Sequence, residues 1–359
     1  MLERKNFVDD KSKKIYDALV ELNKTKDLCY LLEAHKESHI ESDPIYQQMI
    51  DMQEFIRDGK KMVLYGLGRD VKSYIELEKD KKNEVGYLYI PFLSDIPWCA
   101  LGDAKPERFK EFVLGKKVLN MDECIALGED VIFYIGSRDY YEEIKEALLA
   151  KGVKDNCIYQ YKYLNTICYE ENQYFDSFME SRKEGVVVDG GCYCCDVVEK
   201  FIHWNHPLGY ERIVAFEPDA SNHKNCIAAI ENNGWENVEV IHAGLSDCST
   251  TMYMMSNGDS SSRLCEDGTE SIRVCCLDDL LAEERVTFIK LDVEGYELAT
   301  LKGAKEIIEK NHPRMAISVY HKEGDLMEIP EYILSICEDY KFYLRIYSNA
   351  YLEIVLYAI

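Results

Sequence analysis

The sequence has no apolar run approaching the roughly 18 residues that suggest a membrane-spanning helix, so no span of that kind is expected. Its first residues, MLERKNFVDDKSKK, are charged and lack the apolar stretch of a secretory leader. The chain therefore reads as cytoplasmic. Positive charge is also scarce: 42 Lys and Arg stand against 66 Asp and Glu, for a net charge of −24 at pH 7. Such a surface repels phosphate backbones and anionic lipid, which disfavours a nucleic-acid partner. Its plainest role is solubility. No internal repeat and no low-complexity segment is found.

What remains is an ordinary globular composition, 47% hydrophobic over 359 residues. That length suits two domains better than one. Cysteine is plentiful at 14 but scattered. Several, such as Cys275 and Cys276 in SIRVCCLDDL, sit in apolar strand-like runs and read as buried, reduced thiols. Cys192, Cys194 and Cys195 form a C-x-C-C cluster. Zinc is disfavoured there because no further ligand lies nearby at a plausible spacing.

Four segments are expected. Residues 1–60 have helical periodicity in KKIYDALVELNK and PIYQQMIDMQEFIRDG, with Gly59 suited to stop the second helix. Residues 61–160 read as a small α/β domain: strand, glycine turn and helix in KKMVLYGLGRDVKSYIEL, then strand DVIFYIGS and helix YYEEIKEALLAKG. Residues 161–183 read as a linker and lead-in helix. From 184 to 359, parallel βα units repeat. The last two strands, KFYLRIYS and LEIVLYAI, are too close for anything but an antiparallel hairpin. That order is the outline of a class I methyltransferase with a Rossmann-like sheet.

Ligands of open α/β sheets bind beyond the carboxyl ends of the strands. At the first such end lie Asp189, Gly190 and Gly191, followed by a helix start with Asp196 as its expected cap. The turn can host the amino-acid end of S-adenosylmethionine, or be a plain strand–helix turn. Glu217 ends the next strand, where an acid can accept both ribose hydroxyls through charged hydrogen bonds of roughly 1.5–3 kcal/mol. Asp219 suits the cap of the following helix. Ser246 and Asp247 end the third strand beside the expected adenine, or form an ordinary polar turn. Lys290, Asp292, Glu294 and Glu297 crowd the fourth end, and clustered charge of this kind needs a reason. Asp292 can orient an acceptor, or with Glu294 hold magnesium, which prefers oxygen ligands. Glu297 reads as charging the next helix start. His321 ends the fifth strand, and its ordinary pKa near 6.5 makes it the candidate general base.

These motifs resemble the FkbM family of methyltransferases. The strongest matches are IKLDVEGYELATLKGA and SVYHKEGDLMEIPEYI, with VVVDGG, VAFEPD, GLSD, RVCCLDDLL and YLRIYSNAYLEIVLYAI in support, over residues 184–359. The resemblance implies S-adenosylmethionine as donor and O-methylation of a sugar, glycan or secondary metabolite. It implies cofactor and reaction-centre roles for Asp189, Gly191, Glu217 and Asp292. Lys290, Glu294 and His321 also match the motif. The chain departs from the family at Cys195, where members usually carry glycine. A left-handed cysteine there would cost roughly 1–2 kcal/mol and weaken the cofactor loop. The expected partner is a small-molecule or glycan acceptor, with homo-oligomer formation left open.

Two other readings stand beside this one. Tyr65-Gly66-Leu67-Gly68-Arg69-Asp70-Val71 is half of a G-x-G-x-x-G fingerprint and would suit a nicotinamide-dependent sugar oxidoreductase, but Val71 replaces the third glycine. Alternatively the chain is a non-catalytic scaffold with a loop disabled at Cys195.

Overall fold

A computed structural model describes residues 2, 4–25, 29–38, 51–52, 54–68, 71, 98–109, 113–137, 139–161, 173–255, 263–264, 270–348 and 351–359. The chain forms two compact units, one of residues 1–20, 169–347 and 352–359, the other of residues 21–168 and 348–351. The first sixty residues therefore divide between the units. Chemistry explains why their start joins the C-terminal unit. Asp9 pairs with Arg345 at 2.6 Å, and Ser12 Oγ accepts the Leu344 N–H at 3.0 Å and the Arg345 guanidinium at 2.9 Å.

The smaller unit holds five parallel strands: β1 (Met62–Tyr65), β2 (Ala100–Gly102), β3 (Val118–Leu119), β4 (Ile132–Ile135) and β5 (Ile158–Gln160). They lie in the order β3-β2-β1-β4-β5. Every residue of β1 and β4 is buried, as expected of central parallel strands covered on both faces. The helix anticipated after the Gly66–Gly68 turn, and most of the helix anticipated from residue 44, lie outside the described residues. Residues 51–52 and 54–57 of the latter are helical, and Gly59 ends it at φ +64°.

The larger unit is built on β6 (Glu184–Gly190), β7 (Tyr210–Phe216), β8 (Val238–Ile241), β9 (Gly244–Leu245), β10 (Thr250–Met255), β11 (Arg263–Leu264), β12 (Glu270–Cys275), β13 (Val286–Leu291), β14 (Arg314–Ser318), β15 (Phe342–Ile346) and β16 (Ile354–Ala358). Seven strands form one sheet in the order β15-β16-β14-β13-β6-β7-β8. Only β16 runs against its neighbours, β14 on one side and β15 on the other. The chain end is thus inserted between β14 and β15. A separate four-stranded sheet, β11-β10-β12-β9, extends the strand expected around TMYMM.

Residues 173–183 run as turns and bends, and residues 162–172 of the expected linker and lead-in helix lie outside the described residues. The helix read through ELATLKGAKEIIEK is two, Glu297–Lys302 and Lys305–Asn311. Gly303 breaks it by close packing, since a Cβ there would lie 2.3 Å from the Ser246 carbonyl oxygen. No helix among the described residues is long and apolar enough to cross a membrane.

Candidate active site

Central strands β6 and β13 lie side by side, with Lys290 opposite Asp189 and Leu291 opposite Gly190. Chemistry-bearing residues far apart in sequence therefore emerge at one sheet edge. Asp189 and Lys290 form a buried pair at 3.0 Å. The Lys290 ammonium also donates to the Gly191 carbonyl at 2.7 Å and lies 5.2 Å from the centre of the Tyr174 ring. Burial works against its charge, but Asp189 and Asp292 outweigh that and raise its pKa. Lys290 thus ties Asp189 to the glycine turn. Gly191 itself is at φ +75°, and a Cβ there would lie 1.8 Å from the Asp292 carbonyl oxygen. No other residue lets the two strand ends approach so closely.

The helix after this turn, Asp196–Trp204, has Cys195 rather than Asp196 at its cap position. Cys195 is left-handed at φ 64°, ψ 23°, so its side chain cannot cap and the strain expected of a non-glycine residue is present. Glu217 follows β7 and is buried. One of its oxygens accepts the Tyr193 N–H at 2.9 Å and the other the Asp219 N–H at 2.8 Å. Burial pushes its pKa up to about 7, against those two bonds. Each oxygen keeps a second lone pair. Asp219 caps the helix Ala220–Asn233, accepting from the Ser221 and Asn222 backbones. Ser246 is buried after β9 and donates to the exposed Asp247 carboxylate at 3.2 Å.

The acidic cluster gathers after β13 and β14. Asp292 accepts from the Tyr174 hydroxyl at 2.9 Å. Burial opposes its charge, but Lys290, His321 and the bond from Tyr174 hold its pKa below the usual value. His321 Nδ1 meets Glu297 Oε1 at 2.8 Å, while Nε2 lies 3.6 Å from Asp292 and 3.8 Å from Glu294. Burial pulls the imidazole pKa down, yet Glu297, Asp292 and Glu294 raise it to about 10. The expected value near 6.5 is therefore corrected: three carboxylates keep His321 protonated at neutral pH. Burial, reinforced by Asp292, Glu297 and Glu353 and opposed by His321, lifts Glu294 to about 7. Glu294 is also at φ +52°, a strained conformation of the kind that concentrates at functional sites.

Sequence reasoning underrated two residues. Glu297 is fully buried and accepts the Val293 and Gly295 N–H groups as well as binding His321, so it orients the imidazole besides starting a helix. Tyr174 gave no signal, because it lies 118 residues before its partner Asp292. The magnesium reading also changes. Asp292, Glu297 and His321 bring ligand atoms within 4.8 Å of one another. That set includes a nitrogen. It does not suit magnesium, which prefers oxygen and retains water.

The smaller unit repeats part of the pattern. Gly66 turns at φ +84° after β1, and the Leu67 N–H donates to Asp103 just after β2, at 3.1 Å. Asp103 also pairs with Arg108 at 3.0 Å. Val71, in place of the third glycine, is buried. A Cβ at Gly136, beyond β4, would lie 2.4 Å from its side chain.

A parallel sheet in this strand order, closed by a reversed pair and bearing acids at the ends of its first two strands, defines a class I methyltransferase fold. Residues 195–344 match the model of the methyltransferase FkbM domain. No curated protein matches the chain. Among solved structures, methyltransferase FkbM from Methylobacillus flagellatus KT is 18% identical, covers 96% of this chain and 99% of its own, and superposes with a TM-score of 0.52. It shares the fold. A SAM-dependent methyltransferase from Aquifex aeolicus is 14% identical over 53% of this chain and 89% of its own, with a TM-score of 0.32. An rRNA methylase from Streptococcus thermophilus is 15% identical over 50% and 87%, with a TM-score of 0.33.

Proposed function

We propose that the larger unit transfers a methyl group from S-adenosylmethionine to a hydroxyl oxygen of a sugar, glycan or secondary-metabolite acceptor. The observation that carries this reading is the convergence of Asp292, Glu294 and His321 beside the glycine turn and Glu217. A hydroxyl must lose its proton as its oxygen is alkylated, and this cluster is built to hold and move one.

The residues fit the donor. Both glycines permit a close turn, and the spare lone pairs on Glu217 suit two ribose hydroxyls. Ser246 and Asp247 lie at the strand end where adenine would rest. When bound, S-adenosylmethionine supplies an electrophilic methyl group on a positive sulfur. Lys290 acts as a positioning residue through Asp189 and the turn. Asp292, ionised and fixed by Tyr174, orients the acceptor hydroxyl. His321 carries its proton at rest, so Glu294, with a pKa of about 7, is the group matched to accept the acceptor's proton near neutrality. Glu297 holds the imidazole in place. Holding the reactants in register can supply roughly 7–11 kcal/mol of the barrier.

Calorimetric titration with S-adenosylmethionine, S-adenosylhomocysteine and NAD, followed by methyl transfer to a panel of sugars, tests the reading. Micromolar binding of the sulfur ligands, weakened by Glu217→Ala, is the expected result. Binding of NAD alone would overturn it.

A further inference from the structure

Three thiols meet behind the cofactor-side turn. Cys192 and Cys195 lie in the turn after β6, and Cys226 lies in the helix Ala220–Asn233. Their sulfurs all lie within 4.8 Å of one another, and Cys192 Sγ is 3.7 Å from Cys226 Sγ. The residues are 0%, 1% and 0% exposed, respectively. Two thiolates on one tetrahedral zinc, each at about 2.3 Å, stand about 3.8 Å apart. The Cys192–Cys226 separation is already that of a shared ion. A C-x-x-C pair with a third sulfur from a separate helix is also a recurrent donor grouping of sulfur-rich zinc sites. The ligand missing from the local sequence is supplied by Cys226, 34 residues away. Apolar packing alone gives no reason for Cys195 to keep a left-handed backbone that glycine would adopt without strain.

We propose that Cys192, Cys195 and Cys226 form a three-thiolate site for a thiophilic closed-shell cation of the zinc class. The ion would pin the turn to the helix. Tyr193, between two of the ligands, donates its N–H to Glu217, so the site backs the contact that holds Glu217; without metal Cys226 Sγ donates to the Tyr193 carbonyl at 3.0 Å, a bond that the sulfur–metal bond replaces. On loading, three sulfur–metal bonds replace three S–H bonds and the protons pass to solvent. No electron is transferred, and the fourth coordination position is left for water. The site is independent of whether the protein transfers methyl groups.

The test uses the full chain, reduced and stripped of metal by chelation, titrated with Co²⁺ and then Zn²⁺. The expected result is a sulfur-to-cobalt charge-transfer band that saturates at a single ion per chain and is displaced by zinc. Cys192→Ser and Cys226→Ser should abolish the band, and Cys194→Ser should retain it. Absence of the band in the reduced wild-type protein, or its survival in Cys226→Ser, would overturn the proposal. X-ray absorption of the zinc-loaded wild-type chain needs no variant to fold. It should show three sulfur ligands, and a shell of nitrogen and oxygen alone would overturn the proposal as well.

Discussion

The two sheets of this protein begin alike and end differently. In each, a glycine turn follows one central strand and an acid follows its neighbour. The acid accepts a backbone N–H from the turn: Leu67 to Asp103 in the smaller unit, Tyr193 to Glu217 in the larger. Beyond the other central strand the likeness stops. The smaller unit has Gly136 packed against Val71, whereas the larger has Lys290, Asp292, Glu294 and Glu297, with His321 after the next strand. A glycine turn with an acid is thus a frame that either sheet can carry. The chemistry depends on what the frame faces. That contrast also weighs against the nicotinamide reading, since buried Val71 stands where a dinucleotide turn needs its third glycine.

The largest effect should come from the part the smaller unit lacks. Glu294→Gln, which removes the proposed proton acceptor, should lower turnover about 10²-fold or more, while S-adenosylhomocysteine affinity stays within twofold. An unchanged turnover would remove Glu294 from the proposed site. Next, Lys290→Met should strand a buried Asp189 carboxylate and cost about 3 kcal/mol in denaturant unfolding. Adding Asp189→Asn should recover part of that loss, and no recovery would mean the pair is not the cause. Glu217→Ala should weaken S-adenosylhomocysteine about tenfold to a hundredfold in calorimetry, whereas Asp103→Ala should leave it unchanged. Equal losses would erase the distinction between the two sheets.

The pH dependence follows from burial. Ribose hydroxyls donate best to an ionised Glu217, which must lose its proton below about pH 7 to bind them. Affinity should therefore be greatest above pH 7 and fall as the pH drops through it. At saturating donor, where affinity no longer limits the rate, turnover should likewise rise with a midpoint near 7, and Glu294→Gln should remove that midpoint. The smallest effect concerns strain. In metal-free protein, Cys195→Gly should be more stable than Cys195→Ala by about 1 kcal/mol, because only glycine relaxes at φ 64°. The reverse order in thermal melts would show that the turn changes shape.

Much of this was legible in local pattern. The seven strands of the main sheet, the closing antiparallel pair, the Asp219 cap and the glycine requirement at Gly191 each follow from residues close together in the chain. Periodicity, turn chemistry and burial act over a few residues, so the sequence by itself determined the order of elements and which strand ends carry charge. Only the tertiary structure decided what those charges do. Lys290 faces Asp189 because β13 pairs with β6, His321 is held protonated by Glu297, Asp292 and Glu294, and Cys226 reaches Cys192 from a distant helix. A pKa or a ligand set depends on distances of a few ångströms and on exclusion from water, and the fold brings those about between residues whose separation in sequence carries no sign of it.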